Sequence, residues 1–109
     1  MKGDYLGAFE ELVLRAVDGL AEAAYGANLQ RVLEREARRV VSLGAVHTVL
    51  ERLESKGLVL SADSTPTTER GGRRRRVFRS TAAGRRTLRA ADHLRRRLSA
   101  LKGADVDTS

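Results

Sequence analysis

Residues 42–60 read SLGAVHTVLERLESKGLVL, and this stretch decides the fold. Ser42 is a good N-cap, because its hydroxyl can accept from a backbone N–H of the first helical turn. Leu43, Val46, Val49, Leu50 and Leu53 then recur at helical spacing, which predicts a helix from Leu43 to about Lys56 with these side chains inward. Gly57 stands where a helix-terminating glycine belongs. Leu58-Val59-Leu60 is a short apolar run that reads as a strand.

Working back toward the N-terminus, Val40 and Val41 form a brief extended piece. Leu29, Val32 and Leu33 form the buried side of a helix from about Gly26 to Ala37. Phe9, Leu12, Val13, Ala16, Val17 and Leu20 predict an amphipathic helix over roughly residues 6–21. Working forward, Asp63 to Arg75 is polar, holds Pro66 and Gly71-Gly72, and reads as the tip of a hairpin. Arg76-Val77-Phe78-Arg79-Ser80 alternates as a returning strand should. Thr81 caps a last helix that runs to about Leu101, and residues 103–109 fray. Three short helices, a two-stranded hairpin and a fourth helix make a mainly α fold with a small β-hairpin, of the α+β class. This is the winged helix-turn-helix plan. Residues 1–81 form the winged helix-turn-helix domain, and 82–109 form a C-terminal dimerisation helix and tail.

Charge is distributed unevenly over the 109 residues. The formal net charge is +7, yet residues 1–56 carry 8 Lys/Arg against 9 Asp/Glu, while residues 57–109 carry 13 against 5. A local excess made almost wholly of arginine points to a polyanion, nucleic acid first and an anionic membrane second. The absence of cysteine removes disulfides, thiolate metal sites and thiol nucleophiles, and suits the cytoplasm. No signal peptide or membrane-spanning run is visible.

The third helix is the candidate reading element, since such a helix lies in the major groove and meets base edges with its N-terminal half. With the apolar stripe inward, Gly44, Ala45, His47, Thr48, Glu51 and Arg52 point outward. Small residues at 44 and 45 let the backbone come close, His47 and Thr48 can hydrogen-bond, and Arg52 suits a phosphate or a guanine edge. An ordinary solvated helix face carries the same residue types. The tip is more specific: the run Arg73 to Arg76, with Arg70 nearby, would repel itself in water and release counterions against phosphates, and Gly71-Gly72 lets the tip turn sharply toward a groove. A narrow minor groove is the other place for such arginines. A solubilising loop or a basic import signal are the competing readings of the tip.

The last helix carries Arg85, Arg86, Arg89, Arg95, Arg96 and Arg97 around a stripe of Leu88, Ala91, Leu94, Leu98 and Leu101. That stripe, with Phe9 of the first helix, predicts pairing with a second copy. Glu10, Glu11 and Asp18 of the acidic first helix would then face a partner's arginines. Simple packing of the stripe on its own domain is the competing reading, and a membrane surface a weaker one. Catalysis has no foothold. His47 and His93 are the only histidines, they lie on different helices, and no Asp/Glu/His group has metal-ligand spacing. Gly71-Gly72 lacks the Lys-Ser/Thr ending of a phosphate loop, so no metal and no cofactor is implied.

Leu6 to Leu14 with Ala24-Tyr25-Gly26, then Ser42 to Val59, Glu69 to Arg73 and Phe78 to Arg85, together resemble the PadR-type regulators. The resemblance covers roughly residues 6–90. It implies a homodimeric winged-helix repressor of a palindromic operator, with the C-terminal helix as dimerisation element, from the family's compact branch. The family commonly has tyrosine where this chain has His47. The pairs of tryptophans that hold flat ligands in some compact members have no counterpart here. The resulting expectation is a cytoplasmic, nucleoid-associated DNA-binding regulator that is not an enzyme and whose effector is open. Ser42, Gly44, Ala45, His47, Thr48 and Arg52 meet the groove, Arg70 and Arg73 to Arg76 hold the wing on DNA, and Tyr25, Asn28 and Arg31 flank the backbone. An architectural or RNA-binding basic protein, and an adaptor using the last leucine stripe, are the rivals.

Overall fold

The computed structural model describes residues 6–63 and 75–103. Four helices, α1 (Ala8–Leu20), α2 (Gly26–Ala37), α3 (Leu43–Ser55) and α4 (Ala82–Ser99), accompany a hairpin of β1 (Val59–Asp63) and β2 (Arg76–Ser80). A single 3-10 turn, Ala21–Ala23, links α1 to α2. The strands pair antiparallel from Val59 opposite Ser80 to Asp63 opposite Arg76. This is the winged helix-turn-helix architecture, with α2 and α3 as the helix pair and the hairpin as the wing.

The exit from α3 shows why Gly57 is glycine. It adopts φ of 76°, which a side chain disfavours. Its N–H donates to Glu54 O and the Leu58 N–H to Leu53 O, closing the helix end as a Schellman turn. Leu53 and Leu58 are both buried, which supplies the apolar contact that accompanies this turn. The chain thereby enters β1 at a fixed angle. Thr81 then caps α4 by accepting from the Gly84 N–H at 3.0 Å, and its hydroxyl donates to Gly57 O at 2.7 Å. A Cβ at Gly84 would lie 2.3 Å from the Leu58 carbonyl oxygen, so only glycine lets α4 lie this close to the strand entry.

The core is wholly apolar and is built from α1, α2, α3, the wing and the first half of α4. Leu88 is buried in that core. Three sequence expectations need correction here. Leu14, outside the predicted stripe of α1, is fully buried, whereas Leu12 is 41% exposed. Leu43 leans to the surface, because it is the first residue of α3 and has no preceding turn to cover it. Val40 and Val41 form no strand: Val41 anchors the turn in the core and Val40 is exposed. The strand-like neighbour of the wing comes instead from just before α2, where Tyr25 bridges Val77 and the Phe78 N–H donates to Ala24 O at 2.8 Å.

Candidate nucleic-acid interface

The outward residues of α3, Gly44, Ala45, His47, Thr48, Glu51 and Arg52, are all exposed. Ser42 is the N-cap as predicted, its Oγ accepting from the Ala45 N–H at 3.0 Å. Nothing approaches the place where a Cβ of Gly44 would stand, so the backbone of the first turn is bare. His47 is the exception to a simply solvated face. Its ring lies against Gly26, the first residue of α2.

The turn before α3 is held by two side chains that the sequence reading passed over. Gln30 Nε2 donates to Val41 O at 2.8 Å, and the Val41 N–H donates to Glu34 Oε2 at 3.0 Å. Residues four apart on α2 thus satisfy both backbone groups of Val41 and set where α3 begins. Their spacing was the available signal. Asn28 is occupied locally: its Nδ2 donates to Ala23 O at 3.0 Å, and its Oδ1 accepts from Arg31. Arg38, in the left-handed region at φ of 57°, and Arg39 are exposed cations at the end of α2 that the sequence reading also left out.

At the root of the wing the arginine run divides. Arg75 lies over the Tyr25 ring, 4.3 Å from its centroid. Arg76 Nε donates to Ser61 Oγ at 3.1 Å, and Ser61 Oγ donates to Glu54 Oε2 at 2.9 Å. One cation is therefore stacked on the segment before α2, and the other is tied through β1 to the end of α3. Arg70, Arg73 and Arg74 lie outside the described residues.

The sequence pattern of the transcriptional regulator PadR-like family matches residues 13–90. The chain belongs to the PadR-like family of transcriptional regulators. A PadR-like regulator of Bacillus cereus has a similar structure, with a TM-score of 0.71 at 22% identity, over 85% of this chain and 85% of that one. A PadR-like transcription factor of Bacteroides fragilis gives 0.69 at 23% identity, over 84% and 82%. A PadR family regulator of Eggerthella lenta gives 0.63 at 27% identity, over 81% and 74%. None of the curated proteins matches the chain. Among the described residues no group of three His, Cys, Asp or Glu could hold a metal, and no helix is long and apolar enough to cross a membrane.

In this PadR-like chain α4 leaves the core after Leu88. Leu94, Leu98 and Leu101 are 43%, 57% and 57% exposed. Leu94 and Leu98 border a groove of about 690 Å³ together with Leu6, Leu58, Ala83 and Ala90. Ala91 lines the same groove, and Phe9 packs on the core from α1. The acidic residues of α1 are not waiting for a partner. Glu11 binds Arg95 at 2.8 Å and Arg15 at 2.7 Å, and Arg15 also reaches Asp92 at 2.7 Å. Glu10 binds Lys56 at 3.1 Å, and Asp18 accepts from Ser80 at 2.6 Å. The expected complement for a partner's arginines is thus consumed within the chain. The Arg95 hydrogen bond, with Arg15 behind it, holds the Glu11 carboxyl below the usual range despite its burial. Burial pushes the Glu10 carboxyl up, but the Gly7 N–H and Lys56 outweigh it and the net shift is downward.

Proposed function

We propose that this PadR-like regulator acts as a homodimeric repressor that reads a palindromic DNA operator and performs no catalysis. The observation that carries the reading is the union of a bare, exposed α3 N-terminus with a wing root whose arginines are held by the α2 entry and the α3 exit. Ala45, His47, Thr48 and Arg52 meet base edges in the major groove, and Ser42 and Gly44 allow the close approach. Arg70 and Arg73 to Arg76 bring the wing to phosphates or the minor groove, and Tyr25, Asn28 and Arg31 flank the backbone. Residues 1–81 do the reading, and α4 supplies the dimer by placing Leu94, Leu98 and Leu101 in a partner's groove. Leu88 is taken up by its own core, so the pairing surface lies beyond it. The protein works in the cytoplasm, on the nucleoid. Any small-molecule effector would act by shifting the dimer.

Selection of bound duplexes from a random DNA pool tests this. A recovered palindrome with half-sites about one helical turn apart, or a multiple of that, is the expected result. A pool with no enriched sequence would mean an architectural protein and end the operator reading.

A further inference from the structure

At about 100° per residue, α4 divides into three faces. Gly84, Leu88, Asp92 and Arg95 turn toward α1 and the core, where Leu88 is buried and both charges are paired. Ala83, Ala90, Leu94 and Leu98 line the groove. The remaining face holds Arg85, Arg89, His93, Arg96 and Arg97, all exposed, with Arg86 at its edge, where it also lines the groove. No acidic residue lies on it. Arg85 donates only to Ser80, and Arg86, Arg89, Arg96 and Arg97 have no hydrogen bond or ion pair among the described residues. Arginines three and four apart on one helix oppose its formation, so this face is arranged for an outside anion.

We propose that this face of α4 is a second surface for the phosphate backbone of double-stranded DNA, so that one dimer joins two DNA segments. It goes beyond the operator reading, because none of these residues belongs to the α3–wing surface. Duplex phosphate is the partner that the chemistry favours. Apart from His93 the face is made of arginines, whose forks match phosphate oxygens. It has no Phe, Tyr or Trp to serve as a stacking platform for single-stranded bases. It also lacks a Trp or Tyr to seat it at a lipid interface. Arg85, Arg89 and Arg96 lie roughly across the helix from the groove residues, so a second copy and a second duplex can be held at once.

The test uses the full-length protein, a duplex of arbitrary sequence fixed to beads, and a second, fluorescent duplex in solution. Wild-type protein bound to the beads captures the second duplex. The variant R89Q/R96Q/R97Q binds the beads but captures at least about tenfold less at physiological salt, with a log–log salt slope for capture lower by about 2–3. Glutamine is a good helix former at these exposed positions, and R89K/R96K/R97K, which keeps the charge, retains capture. Equal capture by the glutamine variant, or none by wild type, overturns the proposal. So does release of wild type, but not of the glutamine variant, onto anionic phospholipid vesicles, which would make this a membrane face. Enrichment of an operator from the random pool rests on α3 and the wing and persists in the glutamine variant. Loss of operator enrichment with capture intact would sink the operator reading alone.

Discussion

The His47 ring rests on Gly26: a Cβ built at Gly26 would lie 2.9 Å from both Cε1 and Nε2 of the imidazole. The second helix therefore fixes where α3 holds its histidine. Replacing Gly26 by alanine forces the ring to swing outward, which its exposed position allows. Alanine also favours the helix over glycine by up to about 1 kcal/mol. Gly26→Ala is expected to match or exceed wild type in melting temperature while its operator affinity falls several-fold. His47→Ala should lower affinity similarly, and the double variant should be no worse than His47→Ala. Additive losses in that cycle would show that the contact has no part in DNA reading.

Periodicity made most of this fold legible, and its failures have physical causes. Spacing placed α2 at its observed bounds and put Ser42, Gly57 and Thr81 at their turns, because caps and core stripes are local in sequence. It mistook Leu12 for a core residue and passed over Leu14, since the buried arc of α1 is set by α4 and Leu58 arriving from distant chain. Val40-Val41 has strand composition, yet Gln30 and Glu34 take up both backbone groups of Val41 and leave it no ladder to join. The face of α3 could be read from the sequence. The Gly26–His47 contact, the Arg75–Tyr25 stack and the Arg95–Glu11 pair join residues far apart in the chain, and no spacing rule reaches them.

Tyr25 serves the wing through its ring. It bridges Val77 by its backbone and carries Arg75 on its face. Tyr25→Phe keeps an aromatic face and should bind DNA within about twofold of wild type. Tyr25→Leu removes the stack, worth about 0.5–1 kcal/mol at an exposed site, and should weaken specific and bulk duplex binding alike by a few-fold. Fluorescence anisotropy with both kinds of duplex reads this. Equal affinity of the leucine variant would mean that the stack does not orient the wing.

The clasp of Glu11, Arg15, Asp92 and Arg95 gives stability a definite acid dependence. The Glu11 carboxyl is held below its ordinary value in the folded chain, so its contribution is present above about pH 4.3 and is lost as pH falls through the folded value. Arg15 is shifted upward, first by Asp92 and then by Glu11, and its contribution is lost only above the ordinary arginine range. Glu11→Gln is therefore expected to cost about 1 kcal/mol at pH 7, allowing for the partly exposed arginines, or about 4–8 °C in melting temperature. The difference from wild type should narrow between pH 7 and pH 3, as the wild-type carboxyl begins to take up its proton. Thermal melts at both pH values decide it, and a constant gap would show that Glu11 acts through packing alone.

Because the carboxylates of α1 are engaged within the chain, the contacts left for the proposed second copy are mainly those of the exposed leucines of α4, and that sets the expected response to salt. Leu94 and Leu98 project from α4 beside the groove formed with Leu6 and Leu58. Apolar burial is not screened by ions, whereas phosphate contacts lose affinity steeply as salt rises. Sedimentation at micromolar concentration should find a dimer that persists in about 1 M salt, where duplex binding has gone. Leu94→Glu with Leu98→Glu should give a folded monomer, since both positions are exposed in the single chain and the core ends at Leu88. That monomer keeps weak binding to bulk duplex and loses operator preference, because two half-sites read together multiply discrimination. A wild-type monomer at micromolar concentration, or a dimer that dissociates with rising salt, would assign the exposed leucines of α4 another role.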